Sequence, residues 1–136
     1  MEDEQILGHP RDPYHRIDTY RTTRRVRVSN DGEVVAESTR TVALFESGLP
    51  ARFYLPAEDV RVSLEPSDKK TRCAYKGVAS YWHVGVGDTL HEDIAWTYPD
   101  PEHDGRAIGG LVCFFNERVD LEWGGEAQER PVTQWS

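Results

Sequence analysis

Residues 25–38 read Arg25-Val26-Arg27-Val28-Ser29-Asn30-Asp31-Gly32-Glu33-Val34-Val35-Ala36-Glu37-Ser38. Charged and apolar residues alternate over 25–28, as they do along a strand with one face in water. Asp31-Gly32 suits a two-residue type I′ loop, in which both positions need positive φ. Residues 33–38 then return as the second strand. The pair is a β-hairpin, and its grammar of short alternating runs broken by Gly, Pro and Asp continues along the chain. No segment carries apolar residues at a helical period, so the fold class is all-β.

Downstream, residues 41–46 predict a third strand, broken by Gly48-Leu49-Pro50. Residues 52–55 are short and aromatic and stop at Pro56, which also suits the opening of one helical turn over 56–59. A period-two strand follows at 60–64, then a polar loop at 65–70. Residues 78–86 form a long strand turned by Gly87-Asp88, and residues 94–98 alternate again. A loop at 99–105 leads to a short helical turn near 106–108. The most apolar run, Leu111-Val112-Cys113-Phe114-Phe115, reads as a central strand. Residues 119–123 close the domain before Gly124-Gly125. Upstream, Pro10 and Pro13 push residues 1–23 into an extended arm. The arm is either a solvated tail or anchored near a pocket by Tyr14 and His15. Residues 126–136 read as a loose tail. The expectation is one domain, 24–125, with about eight to ten strands.

A chain of 136 residues is one domain's length and can bury a core without staples. The net charge of −8 argues against general nucleic-acid binding, which wants a basic face. No run approaches a membrane helix, and the acidic N-terminus lacks the apolar core of a signal peptide. The two cysteines, Cys73 and Cys113, belong to no CxxC and build no disulfide scaffold. With reduced thiols the expected compartment is the cytoplasm.

The candidate site centres on Thr71-Arg72-Cys73-Ala74-Tyr75-Lys76-Gly77, which crowds a hydroxyl, a thiol, a phenol and an amine ahead of a turn glycine. Cys73 is either a nucleophile, if Arg72 and Lys76 favour its thiolate, or a small buried hydrophobe. Lys76 is an anion ligand or base, or a surface lysine whose stem covers apolar area. Tyr75 is a pocket wall or core packing. Arg40, Glu46 and Arg52 suggest an arginine–carboxylate–arginine network, either locking a sheet corner or holding an anion. Tyr54, Trp96 and Tyr98 supply aromatic walls, Trp96 and Tyr98 sharing one face at i and i+2. Tyr81 and Trp82 point to opposite faces. His91 and Asp93 are two metal ligands at most. The leading expectation is a cleft lined by 71–77 that binds a small anionic or planar molecule. Cys73 and Lys76 chemistry makes an enzyme the alternative, and a protein-interaction patch is the third reading.

Several blocks in order resemble a bacterial family, domain of unknown function 427. They are Val35-Ala36-Glu37-Ser38 with Arg40; Leu44-Phe45-Glu46; Leu49-Pro50-Ala51-Arg52-Phe53-Tyr54; Thr71 to Gly77; Ala95-Trp96-Thr97-Tyr98-Pro99; and residues 108–115. In the family the central block commonly has proline where this chain has Ala74. The resemblance implies a β-tent, two antiparallel sheets meeting at an angle, as in type B methionine sulfoxide reductases and the thalidomide-binding domain of cereblon. The family is sometimes labelled nucleotidyltransferase-like. This sequence has neither a Gly-Ser pair before spaced aspartates nor a phosphate-cradling glycine loop.

Tents of that kind usually carry zinc cysteines. This chain offers only Cys73 and Cys113, and its histidines, His9, His15, His83, His91 and His103, have no paired spacing. The expectation is no metal and no cofactor, with the tent held by burial and ionic corners. Protein stripped with a chelator should therefore melt at the same temperature as untreated protein. Stoichiometric zinc after purification without added metal, with a chelator-induced fall in melting temperature, would overturn this.

Overall fold

The structure is a computed structural model that describes residues 14–136. Among these it forms eleven strands and two short 3-10 turns. The strands are β1 (Ile17–Thr22), β2 (Val26–Asn30), β3 (Glu33–Ser38), β4 (Thr41–Glu46), β5 (Arg52–Leu55), β6 (Ser63–Cys73), β7 (Gly77–Val86), β8 (Thr89–Thr97), β9 (Val112–Phe114), β10 (Asp120–Trp123) and β11 (Glu126–Gln128). The turns are Ala57–Asp59 and His103–Ile108. All strand pairs are antiparallel, in a seven-stranded sheet ordered β1-β4-β5-β9-β8-β7-β6 and a four-stranded sheet ordered β11-β10-β2-β3. This is the all-β tent of two sheets.

The opening hairpin forms as read. Asn30 pairs with Glu33 across Asp31 and Gly32, whose φ angles are 51° and 83°. Its inward residues Val26, Val28, Val35 and Ala36 meet Phe53, Leu55, Val112 and Phe114 of the larger sheet, which makes the inter-sheet core. The run at 111–115 does supply the central strand, β9.

The alternating residues of the same strands face the other way. Leu44, Tyr54, Trp96 and Cys113 form a second buried cluster with Ile108 and Phe115. The central strands are therefore buried on both faces, which explains their nearly continuous apolar runs. The second sheet covers only one of those faces. On the other, Ile17, Cys73, Tyr81 and Trp135 pack against the cluster from the periphery. The candidate site lies on that side.

Three stretches differ from the expectation, each for a local reason. Part of the arm, Ile17–Thr22, is an edge strand paired with β4. Its side chains are mostly exposed, so it shows no apolar pattern. The loop expected at 65–70 is continuous with β6, where the register shifts between Pro66 and Lys70. β6 is an edge strand, so Pro66 need not supply a ladder N–H. The stretch 91–93, which falls before the strand expected at 94–98, lies inside β8, where Asp93 takes φ 53° beside a register shift in the β7 pairing. The expected tail also contributes β11. The arm's first thirteen residues, His9 included, lie outside the described residues.

Candidate functional site

The hairpin between β6 and β7 carries Ala74-Tyr75-Lys76 at its tip. Gly77 adopts φ 107°, a conformation that side-chain-bearing residues rarely take, and a Cβ there would lie 3.4 Å from the Glu102 backbone nitrogen. The loop at 99–105 packs against this turn. Glu102 N–H donates to the Lys76 carbonyl at 2.9 Å, and a Cβ on Gly105 would meet Lys76 Cβ at 3.3 Å. These contacts hold Lys76 inward, where it is 6% exposed.

A cleft of about 270 Å³ opens beside the turn. Glu46 comes from the end of β4, Arg52 and Tyr54 from β5, Trp96 from the end of β8 with Tyr98 just beyond it, and Thr71 and Cys73 from the end of β6. Lys76 and Arg52, two of the three cations expected to charge the cleft, thus share one cavity, while the third, Arg40, does not line it. Tyr81 and Phe115 add to its walls, while Trp82 packs on the inter-sheet core. Trp135, from the expected tail, also lines the cleft.

Each buried cation has its own carboxylate. Lys76 Nζ donates to Glu46 Oε1 and lies 5.8 Å from the Tyr98 ring centroid. The other Glu46 oxygen is 2.9 Å from His15 Nε2, and the His15 ring stacks on Tyr75 at 3.7 Å with an interplanar angle of 12°. Arg52 is bidentate to Glu117: Nη1 donates to Oε1 at 2.6 Å and Nη2 to Oε2 at 3.0 Å. Nη1 also donates to Asn116 Oδ1 at 2.6 Å. The guanidinium lies 5.2 Å from the Trp96 ring centroid, 5.7 Å from Phe115 and 6.0 Å from Trp135. Trp96 Nε1–H donates to Tyr54 Oη at 3.1 Å.

Several expected placements are corrected. The Arg40–Glu46–Arg52 network does not form. Arg40 sits in the turn before β4, pairs with Glu58 and Asp59, and lines a separate depression with Arg21 and Thr41. Glu46 serves Lys76, and Arg52 takes Glu117 instead. Tyr75 lies outside the cleft lining and carries His15, so the anchored reading of the arm holds at His15. His91 and Asp93 do not converge: Asp93 Oδ1 accepts from the Ser67 hydroxyl and the Asp93 backbone N–H donates to His83 Nδ1 at 3.1 Å, while His91 lines another depression. Neither cation beside Cys73 in sequence is left to it, since Arg72 pairs with Glu102 at 3.5 Å and Lys76 with Glu46. Among the described residues, no three His, Cys, Asp or Glu side chains are grouped to hold a metal ion.

Sequence reasoning missed Asn116, Glu117 and Trp135. The available signal was an amide and a carboxylate, Asn116 and Glu117, placed directly after the apolar run ending at Phe115.

Burial shapes the titration of these groups. It pushes the Tyr54 and Tyr98 phenols above their ordinary value and the Cys113 thiol up to about 12, so all three are neutral at physiological pH. Burial alone would also raise the Glu117 carboxyl. The Arg52 and Thr133 hydrogen bonds outweigh it, and the net shift is downward.

Two outcomes follow. Glu46→Ala leaves a buried ammonium unpaired, so denaturant unfolding should show a loss on the order of 3 kcal/mol or more. His15→Ala should cost less, because Lys76 keeps its partner. A carboxyl depressed in the folded state stabilises above its unfolded value of about 4.3, and that contribution is lost as pH falls through the folded value. The melting temperature of Glu117→Gln should therefore lie below that of the parent at neutral pH, and the gap should narrow in acid. A gap independent of pH would contradict the assignment.

No curated protein matches the chain. Among the described residues no helix is long and apolar enough to cross a membrane. The family model described as domain of unknown function (DUF427) matches residues 18–125, a span that holds every strand from β2 to β10, most of β1 and all the cleft residues except Trp135, and the chain belongs to that family.

Proposed function

We propose that the protein binds a small planar molecule with an anionic edge in the cleft beside the β6–β7 turn. The observation that carries this reading is the pairing of aromatic walls with two buried cations that have donors to spare. Lys76 commits one of its three N–H donors to Glu46. Arg52 commits three of its five to Glu117 and Asn116. The remaining donors suit a carboxylate or ring carbonyl, and the Trp96, Tyr98 and Phe115 rings suit a flat face. Pre-pairing with carboxylates keeps the empty cleft tolerable and holds both cations in place for a ligand.

Chemistry at Cys73 is the second reading, because its thiol lines the same cleft. Binding is favoured over it because Arg72 and Lys76, which would promote a thiolate, are engaged by carboxylates. The two free cysteines support a reducing compartment such as the cytoplasm.

The four tryptophans give an internal control for the test. Trp96 and Trp135 line the cleft. Trp82 and Trp123 donate their indole N–H groups to Thr97 at 2.9 Å and Thr22 at 3.0 Å, outside it. Titrating ¹⁵N-labelled protein with the one-ring anions benzoate, nicotinate and salicylate at millimolar concentration should move the Trp96 and Trp135 indole signals and leave the other two in place. If none of these anions moves the cleft pair selectively, the reading fails.

A further inference from the structure

Residues 129–136 follow β11 and join neither sheet. None of them is fully buried, and Val132 is 90% exposed. Side-chain ties hold the segment in place of a strand ladder. Arg118 Nε donates to the Trp135 carbonyl at 2.8 Å, and Arg130 Nη2 to Asp120 at 3.0 Å. Thr133 Oγ1 donates to Glu117 Oε2 at 2.7 Å and accepts from the Trp135 N–H at 3.0 Å. Ser136 N–H closes a tight turn onto the Thr133 carbonyl at 3.1 Å. That turn delivers the Trp135 indole into the cleft over Arg52. A single hydroxyl thus links the segment to the carboxylate that orients the cleft's arginine.

An element tethered by a few exposed side-chain contacts opens more readily than a paired strand. The cleft wall it supplies is a whole indole ring. The segment also lies beyond the residues that the family model matches. We propose that residues 129–136 are a strap that opens and closes over the cleft, and that Trp135 sets the size of the planar molecule admitted. The size limit rests on the binding reading above; the opening does not. With the strap closed, Trp135 and Trp96 both stand beside the guanidinium and narrow the cleft. With it open, Arg52 keeps its bidentate hold on Glu117 and the cleft accepts a larger flat anion.

Two variants test this: truncation after Gln128, and Trp135→Ala in the full chain. The first readout needs no ligand. N-ethylmaleimide should alkylate Cys73, which lines the cleft, about tenfold faster in both variants than in the parent. Fully buried Cys113 should stay protected, reporting an intact fold. The second readout follows the Trp96 indole signal with benzenesulfonate and naphthalene-2-sulfonate. Both variants should gain more affinity for the two-ring than for the one-ring sulfonate. If the truncated chain loses Cys113 protection, Trp135→Ala alone decides. A Cys73 rate changed by less than about twofold with Cys113 protected overturns the strap. Equal gains for the two sulfonates overturn the size limit. Faster Cys73 labelling with no response to either sulfonate leaves the opening standing and removes the binding reading.

Discussion

The central strands of the larger sheet must bury both faces, while the four-stranded sheet is available to cover only one. On β5, Phe53 and Leu55 turn toward the partner sheet and Tyr54 turns away; on β9, Val112 and Phe114 turn toward it and Cys113 turns away. Period-two geometry leaves no other choice. The second face needs cover from whatever the chain can bring there: the β6–β7 turn, the loop at 99–105, the start of β1 and the segment after β11. Such cover is assembled from turns and ends, and it does not close completely. The gap is the cleft.

The composition of that cover explains the electrostatics. The β6–β7 turn brings Lys76 to a position 6% exposed, and beneath the same cover Arg52, at the start of β5, is 7% exposed. A buried cation without a partner costs several kcal/mol, so each position demands a carboxylate. Glu46 meets the demand from the end of β4 and Glu117 from the turn between β9 and β10, 71 residues apart in the sequence. The two ion pairs are individually close to neutral, which leaves the cleft as a mostly aromatic surface with a few aimed N–H donors. This differs from an anion trap on a basic surface, and it fits a chain whose net charge is −8.

The ends of the chain complete both pairs. His15 bonds the carboxylate of Glu46, and Thr133 bonds that of Glu117. The sequence offered His15 as an anchor of the arm without naming its partner, and Thr133, in a polar tail, looked like solvated chain. Tyr75 shows the same limit from the other side. It stands in the most chemically dense stretch of the chain, yet its ring supports His15 and does not line the cleft.

What the sequence determined by itself was local. Alternation, Asp31-Gly32 and the proline stops specified strands and turns, and the absence of a helical period specified the class. The apolar run at 111–115 identified the central strand because only a strand buried on both faces needs five apolar residues in a row. The clustering of cations and aromatics suggested Lys76, Arg40 and Arg52 as charges and Tyr75, Tyr54, Trp96 and Tyr98 as walls, and of these Arg40 and Tyr75 lie outside the cleft lining. Tertiary structure alone decided who pairs with whom. Arg40, Glu46 and Arg52 are close in sequence and suggested one network, but the turn before β4 points Arg40 at Glu58 and Asp59, and the β5–β9 pairing brings Glu117 across to Arg52. Edge strands β1 and β6 were also settled there, since an edge keeps most of its side chains in water and needs neither apolar alternation nor a full set of N–H donors. Local patterns record which face a residue turns to water. The partner across a sheet is set by strand order, and that is a property of the whole chain.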